Sequence, residues 1–563
     1  MSNTQKRNTF FGGAAILALS SAVVKLIGGC FKIPLAALLP NEAYADFNSA
    51  YNIYNFFLTI STAGLPVALS KSISEAHALG RENQVRRIFR VAFGAFLTMG
   101  LISFFCMSVL AAPVSQMAVS NPKAVWCVMA LSPSVLCVCV ISSFRGYFQG
   151  QFNMGPTGIS QVIEALLKLV VGLSLVVLIQ RMALQPPEFG SSMMAVGAII
   201  GVSTGSVVAL AYLIVIYLRH RRERVTGTDR TDSSGRIFAN LMKIAVPVTL
   251  GSASNAIVML IDNKLVMSQL RTVFETVNGM AAAPALDAAR GLYGIYGKAM
   301  SFYNLPFSMM IPLTACIIPA VSACRAKRDA LGAQHITESA MRVGVLVALP
   351  MCFGLIALGS PIMGLILSPA DTLIGGPLLS VLGIAAIFVS VQLLCNSILQ
   401  ANGMVNLPVL VVVIGGIVKI VVNYILVGNP DILINGAPIG TLCCFAIVSF
   451  IELFIIRRCV PAPPRFGKVF LKPLIASAIM GAGAWATYGL AHRLLFGMSA
   501  FRRVTEAGAV VFSTLGKILA LGGAIGVGVV LYLVLVLALR VISKEDLELM
   551  PKGDKIAKIL HIH

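Results

Sequence analysis

The segment SSMMAVGAIIGVSTGSVVALAYLIVIYL, residues 191–218, contains no charged residue and is followed at once by RHRRER, residues 219–224. An apolar run of this length crosses roughly 30 Å of hydrocarbon as a helix. Similar runs recur along the 563-residue chain, in which 57% of residues are hydrophobic and only 12% are charged. The composition predicts an all-α polytopic membrane protein.

About fourteen transmembrane helices are predicted, at residues 9–37, 44–70, 89–112, 123–143, 157–180, 191–218, 238–266, 292–322, 340–366, 375–400, 407–427, 436–457, 470–491 and 517–539. With the N-terminus in the cytoplasm, the 43 Lys and Arg divide into 29 inside, seven outside and seven within spans. Cytoplasmic loops are expected to carry this excess. The alternation predicts that both termini are cytoplasmic. It also accounts for the net charge of +21 without a nucleic-acid partner.

Two parts of the chain resemble each other at a nearly constant separation. TAGLPVALS, with Pro66, resembles TACIIPAVS, with Pro319, and QGQFNMGP, ending at Pro156, resembles QANGMVNLP, ending at Pro408. The separations predict a duplicated six-helix unit, and an even helix number makes the copies parallel repeats. The predicted domains are an N-lobe at 1–218, a basic cytoplasmic linker at 219–237, a C-lobe at 238–458, helices thirteen and fourteen at 459–541, and a cytoplasmic tail at 542–563.

Lysines within the predicted spans form the candidate substrate site. Lys25 and Lys32 are seven residues apart, so they share one face of the first helix. Lys264 and Lys298 lie in the outward halves of helices seven and eight and are predicted to line the same cavity. Ammonium groups form charge-assisted hydrogen bonds with phosphate oxygens, which favours an anionic substrate. The alternative is that each lysine reaches the membrane surface or pairs locally.

A second set of residues is predicted to form internal ion pairs or a coupling site. Glu164 and Lys168 stand at i and i+4, which favours a structural pair. Lys419 has no acid on its own helix, so Asp262 is its candidate partner, and Asn423 lies one turn beyond Lys419. No cofactor and no metal site are expected, because the twelve cysteines are scattered in apolar runs. Coupling to Na+, H+ or the membrane potential stays open.

Four stretches resemble the polysaccharide-biosynthesis exporter family, and more narrowly its Gram-positive branch of stage V sporulation B proteins and MurJ-type lipid II flippases. They are YNIYNFFLTISTAGLPVALSKSISE, FRGYFQGQFNMGPTGISQVIEALLKLVVG, YGIYGKAMSFYNLPFSMMIPLTACIIPAVSA and GGIVKIVVNYIL. The resemblance covers essentially the whole chain. It implies a MATE-like fold of two six-helix lobes, alternating access, and a central cationic cavity.

The resemblance also implies a partner and a place. The substrate is expected to be an anionic lipid-linked glycan, with a polyprenyl tail held in a groove at the two extra helices, in a bacterial cytoplasmic membrane. A monomer is expected, in contact with membrane lipids and cell-wall synthesis machinery. Asp46 resembles the acid that opens helix two in these flippases. Asn52, Asn55 and Thr59 depart from the family pattern, which has a basic pair in that helix.

Other classes of protein explain less of the sequence. A MATE-type exporter of cationic drugs should present acids to its substrate, whereas the residues within the spans here are mainly lysines. A major-facilitator transporter should carry a Gly…Asp-Arg…Gly loop after helix two, which KSISEAHALGRENQVRRIFR lacks. A glycan polymerase needs a large outer loop, and the longest outer segments, 268–291 and 496–516, are short. A sporulation-specific membrane factor that does not transport remains an alternative.

Overall fold

The computed structural model describes residues 3–182, 187–222, 229–326, 328–404, 406–498, 501–504, 510–539 and 541. The chain separates into two compact units, Met1–Gly297 and Lys298–His563. The predicted tail at 542–563 and part of the predicted linker, 223–228, lie outside the described residues.

The described part of the first unit contains nine complete α-helices. They are α1 (Asn3–Leu38), α2 (Asn41–Thr62), α3 (Leu65–Ala78), α4 (Glu82–Ser108), α5 (Ala111–Val119), α6 (Val125–Gly150), α7 (Gly155–Met182), α8 (Pro187–Arg222) and α9 (Ser234–Thr276), with a 3-10 turn at Pro122–Ala124. Helix α10 (Ala282–Ala326) begins in the first unit and continues into the second.

The described residues of the second unit form the remaining helices. They are α11 (Ala330–Met363), α12 (Pro369–Ala401), α13 (Asn406–Val427), α14 (Gly436–Cys459), α15 (Phe466–Gly497) and α16 (Thr514–Ala538), with a 3-10 turn at Leu433–Asn435. Strands β1 (Arg502–Val504) and β2 (Val510–Phe512) pair antiparallel between α15 and α16. This hairpin lies in a segment that the sequence predicted as a short outer connection.

The fourteen predicted spans correspond to these helices. Twelve helical segments of the described chain are long and apolar enough to cross a membrane. The two other predicted spans, seven and eight, fall in α9 and α10, which are 43 and 45 residues long. The all-α fold is therefore confirmed, and fourteen is an approximate helix count.

The second predicted span is two helices. Helix α2 ends at Thr62 and α3 begins at Leu65, with Pro66 in its first turn, where its missing N–H costs no hydrogen bond. Gly64 stands at the break, and a Cβ there would overlap the backbone oxygen of Ala245 in α9. A glycine at this position therefore lets α9 pack against the break.

Two tight turns agree with the predicted repeat. Phe152, before α7, and Gly403, before α13, both have positive φ, at 60° and 81°. They are 251 residues apart, which is also the separation of Lys168 and Lys419. Each turn is followed by a helix with a proline near its start, Pro156 in α7 and Pro408 in α13. The full six-helix duplication and the lobe boundaries stay predictions.

Each unit has its own apolar core. In the first, side chains of α3, α4, α6, α8 and α9 pack around an aromatic group in which Phe89 contacts Phe144, Tyr147 and Tyr217. In the second, side chains of α10, α11, α12, α14 and α15 form one buried cluster. These cores hold the helices that carry the polar residues described below.

The segment before α9 is fixed to the start of α4. The carboxylate of Asp229 accepts hydrogen bonds from the backbone N–H groups of Asn83 and Gln84, both at 3.0 Å. The side chain of Gln84 in turn donates to Asp232 at 2.8 Å. Desolvation opposes the ionised form of Asp229, but the two N–H donors outweigh it and lower the pKa of this carboxyl. Asp229 therefore satisfies N–H groups that the first turn of a helix leaves free.

Candidate functional site

A cavity of about 340 Å³ lies within the first unit, among α1, α2, α6, α7 and α8. Four of its lining residues are charged, and three of these four are basic. The lining consists of Ser21, Val24, Lys25, Gly28, Phe31, Tyr51, Tyr54, Arg145, Gln161, Glu164, Ala165, Lys168 and Val202.

Small residues of α8 set the position of α7 along this cavity. A Cβ at Gly201 would overlap Gly172 of α7, and one at Gly205 would come within 2.6 Å of the Glu164 carbonyl oxygen. Glycines in membrane helices allow such close backbone approach. The contact fixes the turn of α7 that carries Glu164 and Lys168.

The two charged residues of α7 have different partners. Arg145 of α6 donates to the Glu164 carboxylate at 3.0 Å and to the Ser160 hydroxyl at 3.0 Å. Lys168 donates to the Tyr51 hydroxyl at 2.8 Å, and its Nζ lies 4.9 Å from the ring centre of Phe31. The predicted Glu164–Lys168 pair is therefore wrong. The guanidinium of Arg145 binds the Glu164 carboxylate, and the aromatic side chains of Tyr51 and Phe31 contact the Lys168 ammonium.

The first-helix lysines lie at or near the cavity. Lys25 lines it. Lys32, two turns further along α1, is within electrostatic range of both Lys25 and Lys168. Since Arg145 neutralises Glu164, the ammonium groups of Lys25 and Lys168 remain as the positive excess of the lining. The structure thus adds Lys168 to the cations that the sequence predicted.

Asp46 is buried in an ion pair and does not line the cavity. Its side chain is 0% exposed. The carboxylate accepts hydrogen bonds from the Arg290 guanidinium at 2.5 and 3.0 Å and from the Asn121 side-chain amide at 2.9 Å. Arg290 also donates to the Asp287 carboxylate, and the Lys123 ammonium donates to the same carboxylate at 2.7 Å. In this conformation Arg290 and Asn121 occupy the two carboxylate oxygens of Asp46, and the role of Asp46 as a substrate ligand stays a prediction.

The other predicted cations are not brought to this cavity. Lys264 is exposed on α9 and does not contribute to the lining. Lys298 is 3% exposed and belongs to the second unit. A cavity shared by Lys264 and Lys298 with the first-helix lysines stays a prediction.

The predicted coupling residues lie in different units. Asp262 of α9 is within electrostatic range of Tyr293 in the first unit. Lys419 and Asn423 are buried in α13 of the second unit, at 8% and 0% exposure, and Asn423 packs against Gly440 of α14. Pairing of Asp262 with Lys419 stays a prediction.

The second unit has an apolar groove of about 350 Å³ among α10, α11, α15 and α16. Fourteen of its fifteen lining residues are aliphatic, sulfur-containing, proline or glycine, and the other is Tyr532, whose hydroxyl donates to the Leu346 carbonyl at 2.8 Å. The lining consists of Leu305, Pro306, Pro350, Met351, Gly354, Leu355, Leu358, Ile362, Met480, Ala484, Ile525, Gly528, Val529, Tyr532 and Leu533.

Several residues of the cavity and of the ion pairs were missed from the sequence. Arg145 was assigned to a cytoplasmic loop and Arg290 to an outer loop, but both lie in helices with acidic partners. The i,i+3 spacing of Asp287 and Arg290 was a usable signal, since such pairs meet on a helix. Tyr51 gave no signal, because its partner lies 117 residues away.

Comparison with known proteins agrees with this architecture. Residues 10–325 match a family model described as polysaccharide biosynthesis protein, and residues 294–425 match a MatE model. Stage V sporulation protein B of Bacillus subtilis is 24% identical, with 97% of this chain and 98% of that protein covered. Lipid II flippase MurJ of the same organism is also 24% identical, over 85% and 88%.

A solved structure shares the fold. Lipid II flippase MurJ in an inward closed conformation has a TM-score of 0.64 at 14% identity, covering 92% of this chain and 98% of that one. The first family model spans more than half of the 563 residues. The chain belongs to the polysaccharide biosynthesis protein family.

Proposed function

We propose that this protein is a flippase that moves an anionic polyprenyl-pyrophosphate-linked sugar precursor from the cytoplasmic to the outer leaflet. Lipid II or a related cell-wall or polysaccharide intermediate is the substrate class. The observation that carries the proposal is the positive excess in the first-unit cavity. Ionisable residues inside a membrane span mark a substrate pathway by default.

The cavity chemistry suits a pyrophosphate group. Lys25 and Lys168 supply ammonium donors, and Lys32 adds positive charge nearby. An ammonium binds phosphate as a point charge with rotatable donors, without the fixed fork of arginine. Such a site tolerates different orientations of the headgroup, which suits a substrate that must turn over during transfer.

The apolar groove of the second unit supports a lipid-linked substrate. Its lining matches an isoprenoid chain, which needs apolar contact and no hydrogen-bond partner. Helices α15 and α16, which line the groove, stand outside the predicted duplication. We assign this groove to the polyprenyl tail and the cationic cavity to the headgroup.

A MATE-type small-molecule exporter is the second candidate, favoured by the match of residues 294–425 to the MatE model. A cationic drug would need an available acid in the cavity. The lining acid, Glu164, is already paired with Arg145. Drug-resistance assays in a pump-deleted host separate this candidate from the flippase.

Complementation of cells depleted of their lipid II flippase tests the proposal. We expect rescue by the wild type and loss of rescue by Lys25→Ala/Lys32→Ala and by Lys168→Met at equal membrane abundance. Lys71→Ala is the matched control, because Lys71 is 61% exposed on α3. No rescue by a well-expressed wild type would exclude lipid II and direct the assay to other lipid-linked glycans or to a sporulation-specific task. Rescue by every variant would refute the cationic cavity as the headgroup site.

The proposal includes a location and partners. We infer a multi-pass protein of a bacterial cytoplasmic membrane, with both termini inside, acting as a monomer with cell-wall synthesis proteins. Reporter fusions at each terminus test the orientation, since a cytoplasmic fluorescent reporter and an exported enzyme reporter give opposite signals. Crosslinking in intact cells tests the monomer and its neighbours.

A further inference from the structure

Glu452 of α14 is a fully buried acid that the proposed substrate path does not use. Its side chain is 0% exposed, and neither carboxylate oxygen has a hydrogen-bond partner within the described part of the chain. Buried polar groups are nearly always hydrogen-bonded, so a carboxyl without partners in a membrane span needs an explanation.

The neighbouring residues on α14 provide no hydrogen-bond partner for the Glu452 carboxyl. Val448 and Ile456 are each 0% exposed and apolar. The hydroxyl of Ser449, one turn earlier, donates to the Phe388 carbonyl of α12 at 2.7 Å, so its proton is not directed at Glu452. Ile456 belongs to the main apolar cluster of the second unit.

Helices α12 and α13 pack against α14. From α12, the thiol of Cys395 lies within electrostatic range of Glu452 and is uncharged. From α13, Gly415 meets Cys444 and Val448, which places Lys419 about two helical turns from Glu452. Within the described part of the chain, no lysine or arginine side chain is hydrogen-bonded to either oxygen of Glu452.

An ionised carboxylate in these surroundings would be desolvated without compensation, so the group is held neutral instead. We propose that Glu452 is a proton-binding site, occupied while α12 and α14 pack over it and emptied when water reaches it. On emptying, the O–H bond of the carboxyl breaks, the electron pair stays on Glu452 and the proton passes to water. Rebinding reverses the step. The role of this proton in driving transport rests on the proposed function, but the existence of the site does not.

The site itself is tested on the purified full-length protein. Thermal unfolding is measured from pH 6 to pH 9 for wild type, Glu452→Gln and the control Glu75→Gln, which removes an exposed acid of α3. Glutamine is isosteric with the neutral carboxyl. We expect the wild type and the control to lose stability as pH rises and Glu452→Gln to lose much less. Parallel curves for all three would overturn the site.

Infrared spectroscopy keeps the proposal testable if Glu452→Gln does not fold. The wild type should show a protonated-carboxyl band that disappears as pH rises, and Glu452→Asp should shift that band. If Glu452→Asp leaves the band unchanged, it comes from another group, and the site is overturned.

The coupling is tested in proteoliposomes with a fluorescent polyprenyl-pyrophosphate sugar and an imposed pH gradient. We expect the gradient to change wild-type flipping several-fold and to leave Glu452→Gln unaffected. Wild-type flipping that responds only to a Na+ gradient would overturn proton coupling. No flipping by wild type under any gradient would overturn the proposed function, and the unfolding curves would still decide the proton site.

Discussion

The Asp46–Arg290 ion pair gives the sharpest prediction from the structure. Both side chains are almost inaccessible, at 0% and 4%, and the guanidinium contacts both carboxylate oxygens. Removing one member of a buried pair costs about 3–5 kcal/mol because it leaves a buried charge uncompensated, and after loss of Asp46 the guanidinium keeps, among the described residues, only Asp287, whose side chain is 35% exposed. Asp46→Ala should therefore destabilise the first unit by that amount, whereas Lys123→Ala, at a pair 35% exposed on each side, should cost about 0.2–1 kcal/mol.

The assay is thermal unfolding of the purified protein in detergent. A loss of about 3–5 kcal/mol should lower Tm by at least roughly 6 °C, at about 2 °C per kcal/mol for a large domain. Asp46→Ala/Arg290→Ala should lose less stability than the two single losses added together, because the double variant buries no unpaired charge. An Asp46→Ala protein with the Tm of the Lys123→Ala control would refute the reasoning, as would additive losses in the double variant.

Three further predictions concern local packing and hydrogen bonds. Gly440→Ala should destabilise the protein by about 1–3 kcal/mol, because the added Cβ would collide with a buried side-chain amide of α13. Gly522→Ala is the control, since the space around Gly522 is open. Equal Tm values for the two variants would contradict the clash. Asp229→Ala should speed amide hydrogen exchange in the first turn of α4 at neutral pH. In wild type the same change should appear only as pH falls through the lowered pKa of Asp229, since the ionised form makes the bonds; unchanged exchange in the variant would contradict this. Tyr51→Phe should cost about 1 kcal/mol by removing the acceptor for Lys168, and a Tm within error of wild type would contradict a structural role for that bond.

The sequence predicted the helices well because each span carries its own signal. Apolar length and the loop charges sufficed for α6, α8 and α12, whose limits depend on local composition. The break at Gly64 was missed because it depends on close approach by Ala245, which lies 181 residues away. The β1–β2 hairpin was missed because its segment is too short to give an alternating pattern.

The candidate site was only partly predictable for a related reason. Lys25 and Lys32 were found because a lysine inside an apolar run is conspicuous. The partner of Glu164 was assigned to the nearest base in sequence, Lys168, whereas the structure uses Arg145, 19 residues away. Periodicity shows which residues share a helix face, but the choice among competing bases depends on tertiary packing, which periodicity does not encode.

Three acids within the helices differ in their partners, with different consequences for transport. Asp46 and Glu164 are each paired with an arginine, so each carboxylate has a counter-charge and the cavity lining has more bases than acids. Glu452 has no base among the described residues, so in the packed state only a proton can neutralise it. If the first unit binds the anion and Glu452 takes the proton, the two roles separate kinetically. Lys25→Ala should then raise KM for the lipid-linked substrate. Glu452→Gln should lower the gradient-driven kcat and leave KM unchanged, and a Glu452→Gln defect confined to KM would contradict this separation.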